Sequence, residues 1–89
     1  IKMDKYYLYS QEGCDFCDEL KEALDSNSIR YTTKDVVRNR IEWEKVRSSQ
    51  KIKYTPTMVI ANAERRDVRF FAVDRDFNTT EELIKILKK

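Results

Sequence analysis

The residues best equipped for chemistry in this chain are Cys14 and Cys17, its only cysteines. A pair of cysteines in a short chain serves a structural disulfide, a metal site or thiol–disulfide exchange. Cys14-Asp15-Phe16-Cys17 closes a loop of only four residues, and constraining so short a loop removes little entropy from the unfolded chain. A structural staple would join distant segments. A zinc site takes about four ligands, and this sequence has no histidine and no third cysteine. No metal site is therefore expected. Exchange chemistry fits the spacing: Cys14 attacks as thiolate, and Cys17, three residues on, resolves the mixed disulfide.

A thiolate needs an environment that favours it. Residues 5–10 (KYYLYS) are short and aromatic-rich, which predicts a first strand. Gln11-Glu12-Gly13 reads as a turn. From Cys14 the pattern becomes helical, with Cys17, Leu20, Ala23 and Leu24 at three- and four-residue spacing. Cys14 thus falls at a helix start, where unsatisfied backbone N–H groups favour negative charge. Gly13, the only glycine, directly precedes it; it serves either as an ordinary turn residue or as one that opens the sulfur or permits an unusual backbone angle. Glu12, Asp15, Asp18 and Glu19 oppose the thiolate, although Asp15 and Asp18 also suit a helix N-terminus.

The remaining elements follow from pattern. Turn formers at 25–28 end the first helix, and residues 29–36 (IRYTTKDV) predict a second strand. Arg40–Gln50 predicts a second helix with Ile41, Trp43 and Val46 as apolar contacts and Glu42 and Glu44 facing Lys45 and Arg47. Residues 58–61 (MVIA) are an apolar run of strand length, buried on both faces. A polar turn at 62–66 leads to a return strand at 67–73. Thr79 and Glu82 form a capping box, followed by Leu83, Ile84, Ile86 and Leu87 as the buried stripe of a last helix. Lys85, Lys88 and Lys89 suit its C-terminal dipole. A helical crossover makes the first two strands parallel, whereas the last two pair antiparallel. Taken alone, Pro56, the only proline, reads as a trans residue at a strand start.

The run Tyr9-Ser10-Gln11-Glu12-Gly13-Cys14-Asp15-Phe16-Cys17 resembles the active-site segment of glutaredoxins, and Thr55-Pro56 stands at the position of that family's cis-proline loop. Element order, length and the capped last helix extend the resemblance over nearly the whole chain, as one domain over 1–89. Ile1 and Lys2 are expected to be extraneous, with Met3 the natural start. The resemblance implies an α/β, thioredoxin-like fold, β-α-β-α-β-β-α, with a four-stranded mixed sheet flanked by helices. It implies a cis Thr55–Pro56 bond, and glutathione as co-substrate with no bound cofactor. The Thr55 backbone would pair with the cysteinyl part of glutathione, the helix start at Thr80 and Glu81 would receive its γ-glutamyl carboxylate, and Phe16 would line the groove. Departures fall at Asp15, where the family usually has proline, at Gln11, where it often has lysine, and at Asn78 and Thr79, in place of a Gly-Gly pair. Arg40, Arg47 and Arg75 are the candidate replacement cations; each reads otherwise as a solvated surface charge.

Composition bounds the alternatives. Eighteen basic and sixteen acidic residues leave a net charge of +2, too balanced to argue for nucleic acid. No apolar run reaches membrane-spanning length, and the first residues lack a signal-peptide core. A cytoplasmic monomer is expected. Its partners would be glutathione and protein disulfides; reductases of this appearance commonly serve ribonucleotide reductase. Two other functions compete: a thioredoxin-like carrier recharged by a reductase, and a non-enzymatic iron–sulfur carrier or adaptor.

Overall fold

The computed structural model describes residues 4–88. The expectations for Ile1, Lys2, Met3 and the terminal charge of Lys89 lie outside the described residues. The elements run β1 (Asp4–Ser10), α1 (Asp15–Ser26), β2 (Thr32–Asp35), α2 (Arg40–Gln50), β3 (Thr57–Asn62), β4 (Asp67–Ala72) and α3 (Thr80–Leu87), in the expected order. The sheet order is β2-β1-β3-β4. β1 pairs parallel with β2 and antiparallel with β3, and β3 pairs antiparallel with β4.

Alternation along β1 divides the interior in two. Leu8, with Tyr6 beside it, packs among Met58 and Ile60 under Leu20 and Leu24 of α1, Leu83 and Leu87 of α3, and Phe77. Tyr9, with Tyr7 beside it, turns to the opposite face and packs with Val59, Ala72 and Trp43 of α2. Burial of Met58, Val59 and Ile60 on both faces of β3 follows from its inner place in the sheet, as its unbroken apolar run requires.

Three expectations are corrected, for the start of β2, for Ile41 and for Glu42. β2 begins at Thr32, not at residue 29, because the chain end of α1 claims the residues before it. Ser28 takes a left-handed φ of 57°; its N–H donates to the Asp25 carbonyl, and that of Ile29 to the Leu24 carbonyl at 2.9 Å. This is the helix-terminating pattern in which a left-handed residue turns two N–H groups back to orphan carbonyls. Ile29 then packs on the core beside α1 instead of entering the sheet. On α2, Ile41 is 77% exposed and contributes nothing to the core; Trp43 is buried and Val46 half-buried.

Glu44 pairs with Arg47 at 3.0 Å as the spacing suggests, but Glu42 turns to the sheet. Its Oε1 accepts the Tyr9 hydroxyl at 2.9 Å and the Lys34 ammonium at 2.6 Å. One carboxylate thereby ties α2 to both parallel strands. The Lys34 hydrogen bond, helped by that of Tyr9, holds the Glu42 carboxyl below its usual range against the opposing effect of burial. Burial first, then the adjacent Glu42, pushes Tyr9 far above the usual phenol range, so Tyr9 remains a donor. The Tyr9 and Trp43 rings lie 5.1 Å apart.

Trp43→Ala is expected to lower unfolding stability by about 3–5 kcal/mol, the range for a buried large aromatic. Glu42→Gln removes a carboxylate whose side chain is 42% exposed, so its loss costs less than about 1 kcal/mol. Because the native carboxyl titrates low, that stabilisation is complete above the ordinary glutamate value of about 4.3 and disappears as pH falls through the native value. Urea melts of the parent protein and Glu42→Gln from neutral to acid pH should converge at the acid end.

Candidate active site

The site is assembled where β1 hands over to α1. Gly13 adopts φ +80°, a conformation that costs an L-residue strain. An added Cβ at Gly13 would meet nothing within 4 Å, so its backbone angle, and not steric access, is what requires glycine. The Cys14 N–H donates to the Gln11 carbonyl at 3.2 Å, closing the turn. Cys14 itself is extended and serves as the N-cap of α1: its Sγ accepts the Cys17 N–H at 3.1 Å. A sulfur thus occupies the place that a serine or aspartate oxygen usually takes.

Cys14 and Cys17 are joined as a disulfide with Cα atoms 5.2 Å apart. Their burial is unequal. Cys17 is 0% exposed and belongs to the interior; Cys14 is partly exposed. Only Cys14 can be reached by an incoming sulfur without the helix opening.

The second wall comes from the loop before β3. The Thr55–Pro56 bond is cis, as the resemblance implies, and Pro56 is buried. The Thr55 hydroxyl donates to Cys14 Sγ at 3.9 Å, a long contact even for sulfur. Val73 N–H donates to the Pro56 carbonyl and the Thr57 hydroxyl to the Tyr54 carbonyl, which anchors the loop on both sides. Thr55 itself makes no backbone hydrogen bond with a described residue. Tyr54, beside it, is 57% exposed.

The other candidates are dispersed. Phe16 is half-buried and meets Phe77 edge-on, with centroids 6.1 Å apart. Gln11 contributes its carbonyl to the turn while its side chain is exposed. Thr80 donates to Glu81 at 3.1 Å, and both residues line an open groove with Ala23, Asn27, Ile84 and Lys85, which includes neither cysteine. The capping box is present: Glu82 N–H donates to the Thr79 hydroxyl at 3.2 Å and Thr79 N–H to Glu82 at 3.0 Å.

Of the three candidate cations, two are committed elsewhere. Arg75 pairs with Asp76 and donates to the carbonyls of Gln50 and Phe70, clasping the chain after β4 to the end of α2. Arg47 pairs with Glu44. Arg40 is exposed and makes no ion pair with a described residue. Glu12, Asp15, Asp18 and Glu19 are likewise exposed and unpaired among the described residues. What the sequence reading missed is the Thr55 side chain, to which it assigned only a backbone role.

No protein-family model and no curated protein sequence matches this chain. Solved structures do. A point mutant of the thioredoxin-like protein BC3987 superposes with a TM-score of 0.67 at 24% identity, covering 93% of this chain and 99% of that one. The structure of BC3987 itself gives 0.63 at 24% identity, over 94% and 97%. A malarial protein gives 0.59 at 16% identity, over 98% and 96%. The chain has a thioredoxin-like fold, a four-stranded mixed sheet with three helices, carrying a CxxC pair at the start of its first helix.

Gly13→Ala is expected to destabilise the protein by about 1–2 kcal/mol, the cost of a left-handed angle for an L-residue. Gly13→Asn should cost less, because asparagine tolerates that region better. Chemical denaturation of the oxidised proteins measures both.

Proposed function

We propose that this protein is a thiol–disulfide oxidoreductase in which Cys14 is the nucleophile and Cys17 the resolving thiol. The observation that carries this reading is the unequal burial of two sulfurs joined at the N-cap of α1. In the dithiol state the Cys14 thiolate attacks one sulfur of a target disulfide. A Cys14–target bond forms, and the other target sulfur leaves with the electron pair as a thiolate, taking up a proton. Deprotonated Cys17 then attacks Cys14 Sγ, and the second target sulfur leaves in the same way. The target gains two electrons and two protons; the pair ends as the Cys14–Cys17 disulfide. A thiol reductant must then return two electrons.

We assign that second role to glutathione. The unpaired Thr55 backbone beside Cys14 supports this, since an extended peptide can pair with a free backbone segment as an added strand. Half-buried Phe16 supplies an apolar wall. One observation favours a second reading, in which a reductase recharges the pair: Thr80 and Glu81 open on a groove that includes neither cysteine.

Cys14→Ser should abolish disulfide reduction. Cys17→Ser should retain reduction of glutathione mixed disulfides, where free glutathione resolves the intermediate, and lose reduction of protein disulfides. Substantial turnover by Cys14→Ser would contradict the assignment. A coupled assay comparing glutathione plus glutathione reductase with thioredoxin reductase separates the two electron donors. NADPH consumption in the first system alone is the expected result.

A further inference from the structure

The chain that links β2 to α2 displays apolar side chains where none is needed for folding. Val37 is 68% exposed and Ile41 is 77% exposed, four residues apart at the start of α2. Arg38, Arg40 and Lys45 line an open groove with Ile41, beside Val37 in the chain, and none of the three makes an ion pair with a described residue. The turn that presents them is held firmly. Asp35 Oδ1 accepts the N–H groups of Val37 at 2.7 Å and Arg38 at 3.3 Å, while its carbonyl accepts the Asn39 N–H and side-chain amide. Val36 N–H donates to the Ser10 carbonyl at 2.9 Å, four residues before Cys14. This surface and the dithiol therefore lie at the same end of the sheet, outside the carboxyl ends of the two parallel strands, where α/β folds bind their ligands.

We propose that Val37, Ile41, Arg38, Arg40 and Lys45 form a docking surface for a protein segment that alternates acidic and apolar residues, and that such segments flank the disulfides this protein reduces. Charge complementarity selects the occupant. Three cations that make no ion pair with a described residue attract carboxylates; Glu42, which lines the same groove, is engaged by Lys34 and Tyr9. Two β-branched side chains with few rotamers lose little entropy when covered. Nucleic acid is a poor fit, because the surface has no aromatic side chain on which a base could stack. An anionic membrane is also a poor fit, since Trp43, the one aromatic of α2, is buried beneath the helix. The docking does not depend on redox chemistry; its use in substrate choice rests on the oxidoreductase reading above.

The test uses two cysteine-free peptides, one alternating glutamate and leucine, the other with lysine for glutamate, titrated into the oxidised protein and followed by backbone amide shifts. The glutamate peptide is expected to shift amides over residues 37–45 and to bind at least about tenfold more tightly than the lysine peptide at low ionic strength. That preference should collapse as ionic strength rises from about 0.01 M to about 1 M, where the screening length shrinks from about 30 Å to about 3 Å. Arg38→Glu with Lys45→Glu should remove it, and Ile41→Ser should weaken binding of the glutamate peptide with the charges intact. Equal affinity for both peptides, shifts confined to another face, or tighter binding of a single-stranded oligonucleotide at the same amides would overturn the proposal. A second arm places a disulfide in each peptide and mixes it with the dithiol protein as stoichiometric reductant. The glutamate peptide should react about tenfold faster than the lysine peptide, and the Arg38→Glu, Lys45→Glu variant should lose that difference while reducing oxidised mercaptoethanol at the parental rate. Binding without reduction of any disulfide would contradict the oxidoreductase reading and leave the docking surface standing. Equal reduction of both peptides would overturn the substrate preference.

Discussion

Helix α1 begins on a sulfur. The hydrogen bond from Cys17 N–H to Cys14 Sγ satisfies an orphan donor of the first turn, and the surrounding backbone is arranged so that this sulfur alone fills the cap. β1 must end at Ser10, Gly13 must take its left-handed angle, and the Cys14 N–H must close the turn on Gln11. Once those conditions hold, the helical repeat carries Cys17 inward to the core. One sulfur is then offered to solvent and the other kept from it. The division of roles between the two cysteines is thus a consequence of helix geometry at a strand end.

The charges around the pair work against it, and magnitudes decide the outcome. Exposed carboxylates at Glu12, Asp15, Asp18 and Glu19 each act through water, where a single pairwise charge effect is worth about 0–1 kcal/mol. A hydrogen bond to a charged group is worth about 1.5–3 kcal/mol, and the N–H of Cys17 is aimed at the sulfur with the helix dipole behind it. Charge for charge, the nearby contact is the larger effect. Neither Arg47 nor Arg75 offsets those carboxylates, because both guanidiniums are engaged on the far structural tasks of holding α2 and the chain after β4. Arg38, Arg40 and Lys45, which make no ion pair with a described residue, stand instead on the β2–α2 side.

Element order, strand directions and the capping box at Thr79 and Glu82 were legible in the sequence, because each rests on local periodicity or on a side chain three residues from its partner. The cysteine pair was legible for the same reason, and the Thr55–Pro56 wall through resemblance. What escaped depends on distance along the chain. Tyr9 and Glu42 meet across 33 residues, and no local pattern distinguishes that carboxylate from Glu44, which forms the expected helix pair. Ile41 matches a helical apolar stripe by spacing, yet the helix phase set by Trp43 against Tyr9 turns it to solvent. The early part of the expected second strand fails because Ser28 adopts a left-handed angle more usual for glycine, and serine carries no strong signal for that role.

Cys14 alone meets the outside, and Cys17 remains inside. Alkylating the reduced, folded protein with iodoacetamide at neutral pH, and following each cysteine by peptide mass spectrometry, tests this division most directly. Modification of Cys14 is expected, with Cys17 protected until denaturant is added. Alkylation of the two cysteines at equal rates, or of Cys17 first, would contradict it.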